Sequence, residues 1–314
     1  MSVSTSDTHL QASAQFASAE SVSTGSAGDF FSLLKPRVMS LVIFTGFVGM
    51  ILADGVMHPL LGAISLFAIA AGAGASGAIN QWYDRDIDAV MSRTRTRPIP
   101  AGRVEPAEAL SLGVVISVLS VLLLSLSANL LAGALLAFTI FFYAVVYTVW
   151  LKRSTAQNIV IGGAAGALPP VVGWAAVTGD ISLDALLLFA LIFFWTPPHF
   201  WALALVKNSD YQRANIPMLP VVAGERHTRF QILVYSLICF PLSLAPVATS
   251  LVSPVYGAGA ALLSGVFVVM AFALWRRQDN HYAMPLFKFS IGYLFILFAL
   301  MLGDRLFLAS WGGF

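Results

Sequence analysis

The stretch of this chain best equipped for chemistry runs Asn80-Gln81-Trp82-Tyr83-Asp84-Arg85-Asp86-Ile87-Asp88. Asn80, Asp84 and Asp88 recur at every fourth residue, so on a helix they stack on one face about one turn apart. The apolar run that precedes them, residues 59–79, is long enough to cross a bilayer. Carboxylates at the end of such a run are costly to dehydrate unless they hold a cation or face a watery cavity. Their spacing suits magnesium, which takes one or two carboxylates and fills its shell with water and substrate phosphates. Asp84 and Asp88 are therefore the expected metal ligands, with Asn80 as a neutral supporting oxygen, and Asp86 points away from both. The alternative is a solvated helix end whose acids pair with neighbouring arginines, and spacing alone leaves both readings open.

Cations follow at once. Arg93-Thr94-Arg95-Thr96-Arg97-Pro98 puts three arginines at alternate positions, more than membrane orientation needs. Arg93 and Arg97 are the expected contacts for phosphate oxygens, which a planar guanidinium grips in a bidentate way. Lys152 and Arg153, close after Tyr147, form a second cationic cluster. A third polar region begins at Phe194-Trp195-Thr196-Pro197-Pro198-His199-Phe200-Trp201. The double proline is expected to break or kink its helix, and broken backbone at membrane depth is tolerated where it lines a cavity. His199 is then a candidate for contact with a flat aromatic substrate, against the commoner role of a hydrogen-bonded interior residue. Trp201, Asp210 and Tyr211 are grouped with it, and Lys207 supplies charge nearby. Asp210 is the only acid before Glu225, so a second metal site would depend on it or on neutral oxygens.

These residues need a scaffold, and composition defines it. Of 314 residues, 58% are hydrophobic and 10% charged, against about 25% charged in soluble domains, and mean hydropathy is +0.84. This predicts an all-α protein spanning a membrane many times. Nine apolar runs approach or reach spanning length, near 38–53, 59–82, 107–128, 130–150, 157–177, 183–206, 230–250, 254–274 and 288–308. With nine alternating spans, every lysine and arginine except Arg305 falls on one side. That side is cytoplasmic by the positive-inside rule, which puts the amino terminus in the cytoplasm and the carboxy terminus in the periplasm. The long loops 83–106 and 207–229 then share the cytoplasmic face, suggesting two similar halves around a central cavity. Residues 1–28 are rich in Ser, Ala and Thr without lysine or arginine, and read as a disordered cytoplasmic tail before a membrane domain over 29–314. They carry no signal-peptide or presequence pattern, which supports a bacterial inner membrane. The single cysteine, Cys239, lies in an apolar run and offers neither disulfide nor metal site. Gly162, Gly163 and Gly166, like Gly72, Gly74 and Gly77, fit close helix packing.

Asn80-x-x-x-Asp84-x-x-x-Asp88 followed by Arg97-Pro98-Ile99-Pro100-x-Gly102-Arg103 resembles the first aspartate motif and trailing arginine-proline segment of the UbiA superfamily of membrane prenyltransferases. The likeness covers nearly everything after residue 29. Trp195–Ala204, Asp210–Pro220 and Tyr147-Thr148-x-x-Leu151-Lys152-Arg153 look like the branch of that superfamily that farnesylates protoheme IX. The resemblance implies a nine-helix bundle with its site opening to the cytoplasm and bilayer. It implies a reaction in which farnesyl diphosphate and haem B, with water, give haem O and diphosphate, and Mg2+ as cofactor. It assigns Asp84 and Asp88, with Asn80 beside them, to magnesium and diphosphate, and Arg97 and Lys152 to diphosphate. Relatives that make quinones carry several aspartates where this chain has Lys207 and Asp210, which leaves a second magnesium open, with Lys207 able to supply charge in its place. Implied partners are the two substrates, the lipid bilayer, and a downstream haem A synthase or terminal-oxidase assembly proteins, with no nucleic acid. The rival within the superfamily is a prenyltransferase for a quinone precursor or another aromatic ring. Rivals of other classes are a membrane transporter, disfavoured by acids at the face rather than at mid-depth, and a non-catalytic haem-binding assembly factor.

Overall fold

The computed structural model describes residues 25–310, with side chains through Phe307. The expected tail lies outside the described residues up to residue 24. Its last residues are already helical, because Ser26 and Asp29 form a reciprocal capping box that starts α1 at Ala27–Leu33. Helix α2 (Pro36–Leu52) follows at a bend of 52°. Lys35 sits in the bend with φ of 52°, a left-handed conformation uncommon for a residue with a side chain.

The chain continues as α3 (Pro59–Tyr83), α4 (Arg85–Val90), α5 (Pro106–Ser127) and α6 (Leu130–Phe141). Helix α6 runs on as a wider π-helix over Phe142–Leu151. Then come α7 (Asn158–Ala167), α8 (Pro169–Thr178), α9 (Leu183–Val206), α10 (Asn208–Arg213) and α11 (Leu219–Val222). The last are α12 (Glu225–Ala248), α13 (Pro254–Arg277) and α14 (Ala283–Ser310). Prolines in the first turns of α2, α3, α5, α8 and α13 give up only amide hydrogens that a helix start leaves unpaired. Asn129, Ser182 and Ser253 cap α6, α9 and α13 through their side-chain oxygens.

Among the described residues eight helical segments are long and apolar enough to cross a membrane, and the bent pair α1–α2 makes a ninth. The spans match the sequence expectation in number and order, but α12 and α14 each begin several residues before their apolar runs, and the first span reaches back through α1. Two apolar cores organise the bundle. One joins Ile69 of α3, Leu124 of α5, Leu136 of α6 and Val172 of α8. The larger gathers α9, α12, α13 and α14 with Val48 of α2 and Trp174 of α8. A smaller cluster ties the two long loops together, with Ile87 and Met91 against Tyr211, Ile216 and Met218. The loops therefore lie on one face, as expected. Arg305 pairs with Asp54 at 2.5 Å at the opposite end of the bundle.

The expected break at the double proline is absent. Helix α9 runs from Leu183 to Val206 through Pro197 and Pro198. Neighbours hold it: Trp195 Nε1 donates to the Ser290 carbonyl at 2.9 Å, and Thr196 Oγ1 donates back to the Ile192 carbonyl at 2.8 Å. Hydroxyl side chains and adjacent helices of this kind are how membrane helices tolerate proline.

Small residues set the helix spacing. A Cβ on Gly49 of α2 would lie 2.3 Å from the Pro170 carbonyl oxygen of α8, whereas one on Gly166 meets nothing within 4 Å. Gly49→Ala is expected to cost about 1–3 kcal/mol through overpacking, and Gly166→Ala next to nothing, read as thermal unfolding in detergent. Equal shifts for the two variants would contradict this packing.

Candidate active site

The functional cluster forms where α3 ends. The backbone ladder continues across the junction with α4, since Asp84 N donates to the Asn80 carbonyl at 2.9 Å and Asp88 N to the Asp84 carbonyl at 2.8 Å. The fourfold spacing thus keeps Asn80, Asp84 and Asp88 in successive turns, and all three are buried. Asp86 lies off this face, with its carboxylate exposed and bound by Arg153 at 2.6 and 2.7 Å. The Arg153 guanidinium holds the Asp86 carboxyl below the usual carboxylate range.

Each buried carboxylate has a cation. Asp84, fully buried, accepts at Oδ2 from the Lys152 ammonium and from Asn80 Nδ2 at 2.7 Å. Asp88 Oδ2 accepts from Arg97 Nη1 at 2.5 Å. The π-helix is what delivers Lys152. Its wider turn is closed by Lys152 N donating to the Tyr147 carbonyl at 2.9 Å and Thr148 Oγ1 to the Tyr143 carbonyl at 2.8 Å. Thr148 Oγ1 also accepts from Asn80 Nδ2 at 3.1 Å, locking the π-helix to α3. π-Helical turns are rare and collect at functional sites. Gly162 of α7 makes room for this arrangement, because a Cβ there would lie 2.2 Å from the Tyr147 ring.

Lys35 is the residue sequence reasoning used only for membrane orientation. Its Nζ donates to Asn80 Oδ1 at 2.6 Å, and it makes no salt bridge among the described residues. Asn80 therefore turns its nitrogen to Asp84, because Lys35 has its oxygen. Left-handed backbone at a lysine costs about 1–3 kcal/mol and tends to mark a functional position. Tyr143, its ring tilted against that of Tyr147 with centroids 5.4 Å apart, was also missed. Neither residue carries a motif, and only the bend at Lys35 and the π-helix reveal them. Counting Asp84 and Asp88 against Lys35, Arg97 and Lys152 leaves one positive charge. Arg93, exposed and without an ion pair among the described residues, adds a second within electrostatic reach of Tyr147. The cluster is built for an anion.

Among the described residues His199, Trp201, Lys207, Asp210 and Tyr211 make no hydrogen bond or ion pair to Asn80, Asp84 or Asp88, although Tyr211 lies within electrostatic reach of Tyr147. Asp210 is buried and accepts from Ser92 Oγ at 2.6 Å and from Arg213, so it ties the second loop to the first. Tyr211 packs in the apolar cluster between those loops. Lys207 is half-buried with no ion pair among the described residues. His199 is stacked between Trp195 and Phe287, at 4.4 and 4.6 Å, with Nδ1 in a hydrogen bond to Ser290 Oγ at 2.7 Å. Trp201 lies in the main core with its ring edge-on to Tyr235.

A magnesium ion fits these residues. Asp84 Oδ1 is buried and takes no hydrogen bond, with the Arg153 guanidinium 3.5 Å away, so one hard oxygen is left for a cation. Among the described residues no group of three or more acids, histidines or cysteines could hold a metal alone. Such a sparse carboxylate set suits an ion whose remaining ligands are water and phosphate.

The UbiA prenyltransferase family model matches residues 42–300. The chain belongs to the UbiA prenyltransferase family. Protoheme IX farnesyltransferase 2 of Mesorhizobium japonicum is 58% identical over 287 residues, covering 90% of this chain and 91% of that protein. Protoheme IX farnesyltransferase of Rhodopseudomonas palustris is 55% identical over 294 residues, covering 92% and 94%. Among solved structures, a digeranylgeranylglyceryl phosphate synthase superposes with a TM-score of 0.75 at 16% identity, covering 88% of this chain and 98% of that one. A UbiA homologue from Archaeoglobus fulgidus bound to GPP and Mg2+ gives 0.64 at 16% identity, covering 87% and 99%. These structures share the UbiA fold with this chain.

Within that fold, the Lys152–Asp84 pair is the first to test. Lys152→Met strands a buried carboxylate and is expected to cost about 3–5 kcal/mol of stability. Adding Asp84→Asn should restore most of that loss, read as thermal unfolding in detergent. A double variant no more stable than the single one would show that the pair does not hold the site together.

Proposed function

We propose that this protein transfers the farnesyl group of farnesyl diphosphate to a vinyl group of haem B, giving haem O and diphosphate with water consumed. The reading rests on one observation above all. Two carboxylates buried at the end of a membrane helix are each matched by a cation, with spare positive charge beside them. The relatives named as protoheme IX farnesyltransferases, at 55–58% identity over nine-tenths of the chain, support haem as the acceptor.

The roles follow from charge and geometry. Asp84 and Asp88 would hold magnesium, which supplies Lewis-acid stabilisation of the leaving diphosphate when bound. Lys152 and Arg97 neutralise the carboxylates in this state and stand ready to turn to phosphate oxygens. Lys35 and Arg93 bring charge without a carboxylate partner, and Arg153 braces the cluster through Asp86. Charge fixed before the reaction stabilises charge that develops during it, here on the oxygen leaving the allylic carbon. The faces of Tyr143 and Tyr147 can stabilise the allylic cation and shield it from early quenching. His199, Trp201, Asp210 and Tyr211 support the walls and the loop junction, with Lys207 at its edge. The basic residues of the loops support a site on the cytoplasmic side of a bacterial inner membrane.

Inverted membrane vesicles given farnesyl diphosphate, haem B and magnesium are expected to form farnesylated haem, detected by mass, and to release diphosphate to the medium. Chelation should stop the reaction, and Asp84→Asn or Asp88→Asn should each slow it by about 100-fold or more. Folded protein that makes no farnesylated haem, or carboxylate variants at full rate, would overturn the proposal.

A further inference from the structure

Beside the carboxylate cluster lies a cavity of about 350 Å3, at the small end of the range for small-molecule sites, about 300–1,000 Å3. It opens between α1 and the loop that follows α4. Its floor includes Lys35 and Arg97, the cations that hold Asn80 and Asp88. Its rim includes the exposed residues Ser32 and Thr96 and the partly exposed Arg103. The lining contains no aliphatic or aromatic side chain: apart from Gly28 and Pro98, every residue is polar or charged. Lys35, Arg97 and Arg103 set three cations against the single carboxylate of Asp29 in that lining, so an anion would meet net positive charge there.

Among the described residues an ion pair crosses the mouth. Arg103 Nε donates to Asp29 Oδ1 at 2.8 Å, and Arg103 Nη2 to the Thr96 carbonyl at 3.1 Å. Asp29 belongs to α1 and Arg103 to the loop, so the pair bridges the two walls. Helix α1 is pinned elsewhere, since Gln81 Nε2 donates to the Leu33 carbonyl at 2.8 Å. Separating the Asp29–Arg103 pair would part the two walls at the mouth, while α1 stays attached at its far end.

We propose that this cavity is the route by which product diphosphate leaves for the cytoplasm, passed from Arg97 and Lys35 to Arg103, with the Asp29–Arg103 pair as its latch. This rests on the prenyl-transfer reading above. It separates the paths of reactant and product, with the hydrocarbon substrates held on the bilayer side and the anion discharged beside α1.

Ser32→Cys tests the route, because the only native cysteine, Cys239, is buried and will not compete for a thiol reagent. Inorganic diphosphate with magnesium should protect the new thiol from a bulky maleimide. Protein already labelled there should complete about one round of haem farnesylation and then slow by about tenfold or more relative to unlabelled S32C, as a blocked release step requires. Steady turnover within about twofold of the unlabelled variant, or loss of the first round as well, would overturn the assignment. If parental protein makes no farnesylated haem at all, the reaction assignment fails. The protection arm then judges the cavity alone: protection keeps it as an anion path, and its absence removes it.

Discussion

A carboxylate with no solvent exposure at the end of a membrane-spanning helix has to be neutralised, and the site is organised around that requirement at Asp84. An unpaired charge in this setting costs several kcal/mol after relaxation. Lys152 answers it from the far end of α6, and the π-helix over Phe142–Leu151 is the local distortion that brings Lys152 there. Thr148 fastens that distortion to Asn80, and Gly162 leaves room for the Tyr147 ring. Asn80 in turn is fixed by Lys35, which accepts a left-handed backbone to reach it. A single buried charge thus links α2, α3, the π-helix and α7.

The same constraint explains the polarity of the reaction site. Pairing each acid with a cation leaves Lys35 and Arg93 over, so the empty-handed charge at the site is positive. On the proposed function, the carboxylates would turn to magnesium and the cations to phosphate when magnesium diphosphate binds. The exchange replaces one set of charge pairs with another and needs no new buried charge. The charged contacts of the site lie beside α1 and the loops, while the large apolar cores lie among the spans. This division suits a reaction with a lipid-like donor and a water-soluble by-product.

Much of this was legible in the sequence. The apolar runs and the distribution of basic residues gave the spans and put both long loops on one face. The fourfold spacing of Asn80, Asp84 and Asp88, with Arg97 beyond, gave half of the cluster. What was not legible depended on partners far apart in the chain. Lys35 reads as an ordinary orientation signal, and only folding brings it to Asn80, 45 residues away. A π-helix has no clear sequence signature, so the reach of Lys152 and Tyr143 was hidden. Pro197 and Pro198 suggested a break that neighbouring helices suppress, and His199 proved to be stacked and hydrogen-bonded against α14. Asp210 was grouped with His199 from the sequence, and the bond by which its carboxylate joins the two loops through Ser92 could not be read there.

The central claim is that Asp84 and Asp88 form a metal site completed by diphosphate. The direct measurement is manganese binding, followed by electron paramagnetic resonance as the free-ion signal is lost, with and without inorganic diphosphate. The protein is expected to raise manganese–diphosphate binding well above that of the two ions in solution. Manganese alone should bind weakly, and Asp84→Asn should lose the ternary complex. Equal manganese binding with and without diphosphate, or a ternary complex that survives Asp84→Asn, would contradict the claim.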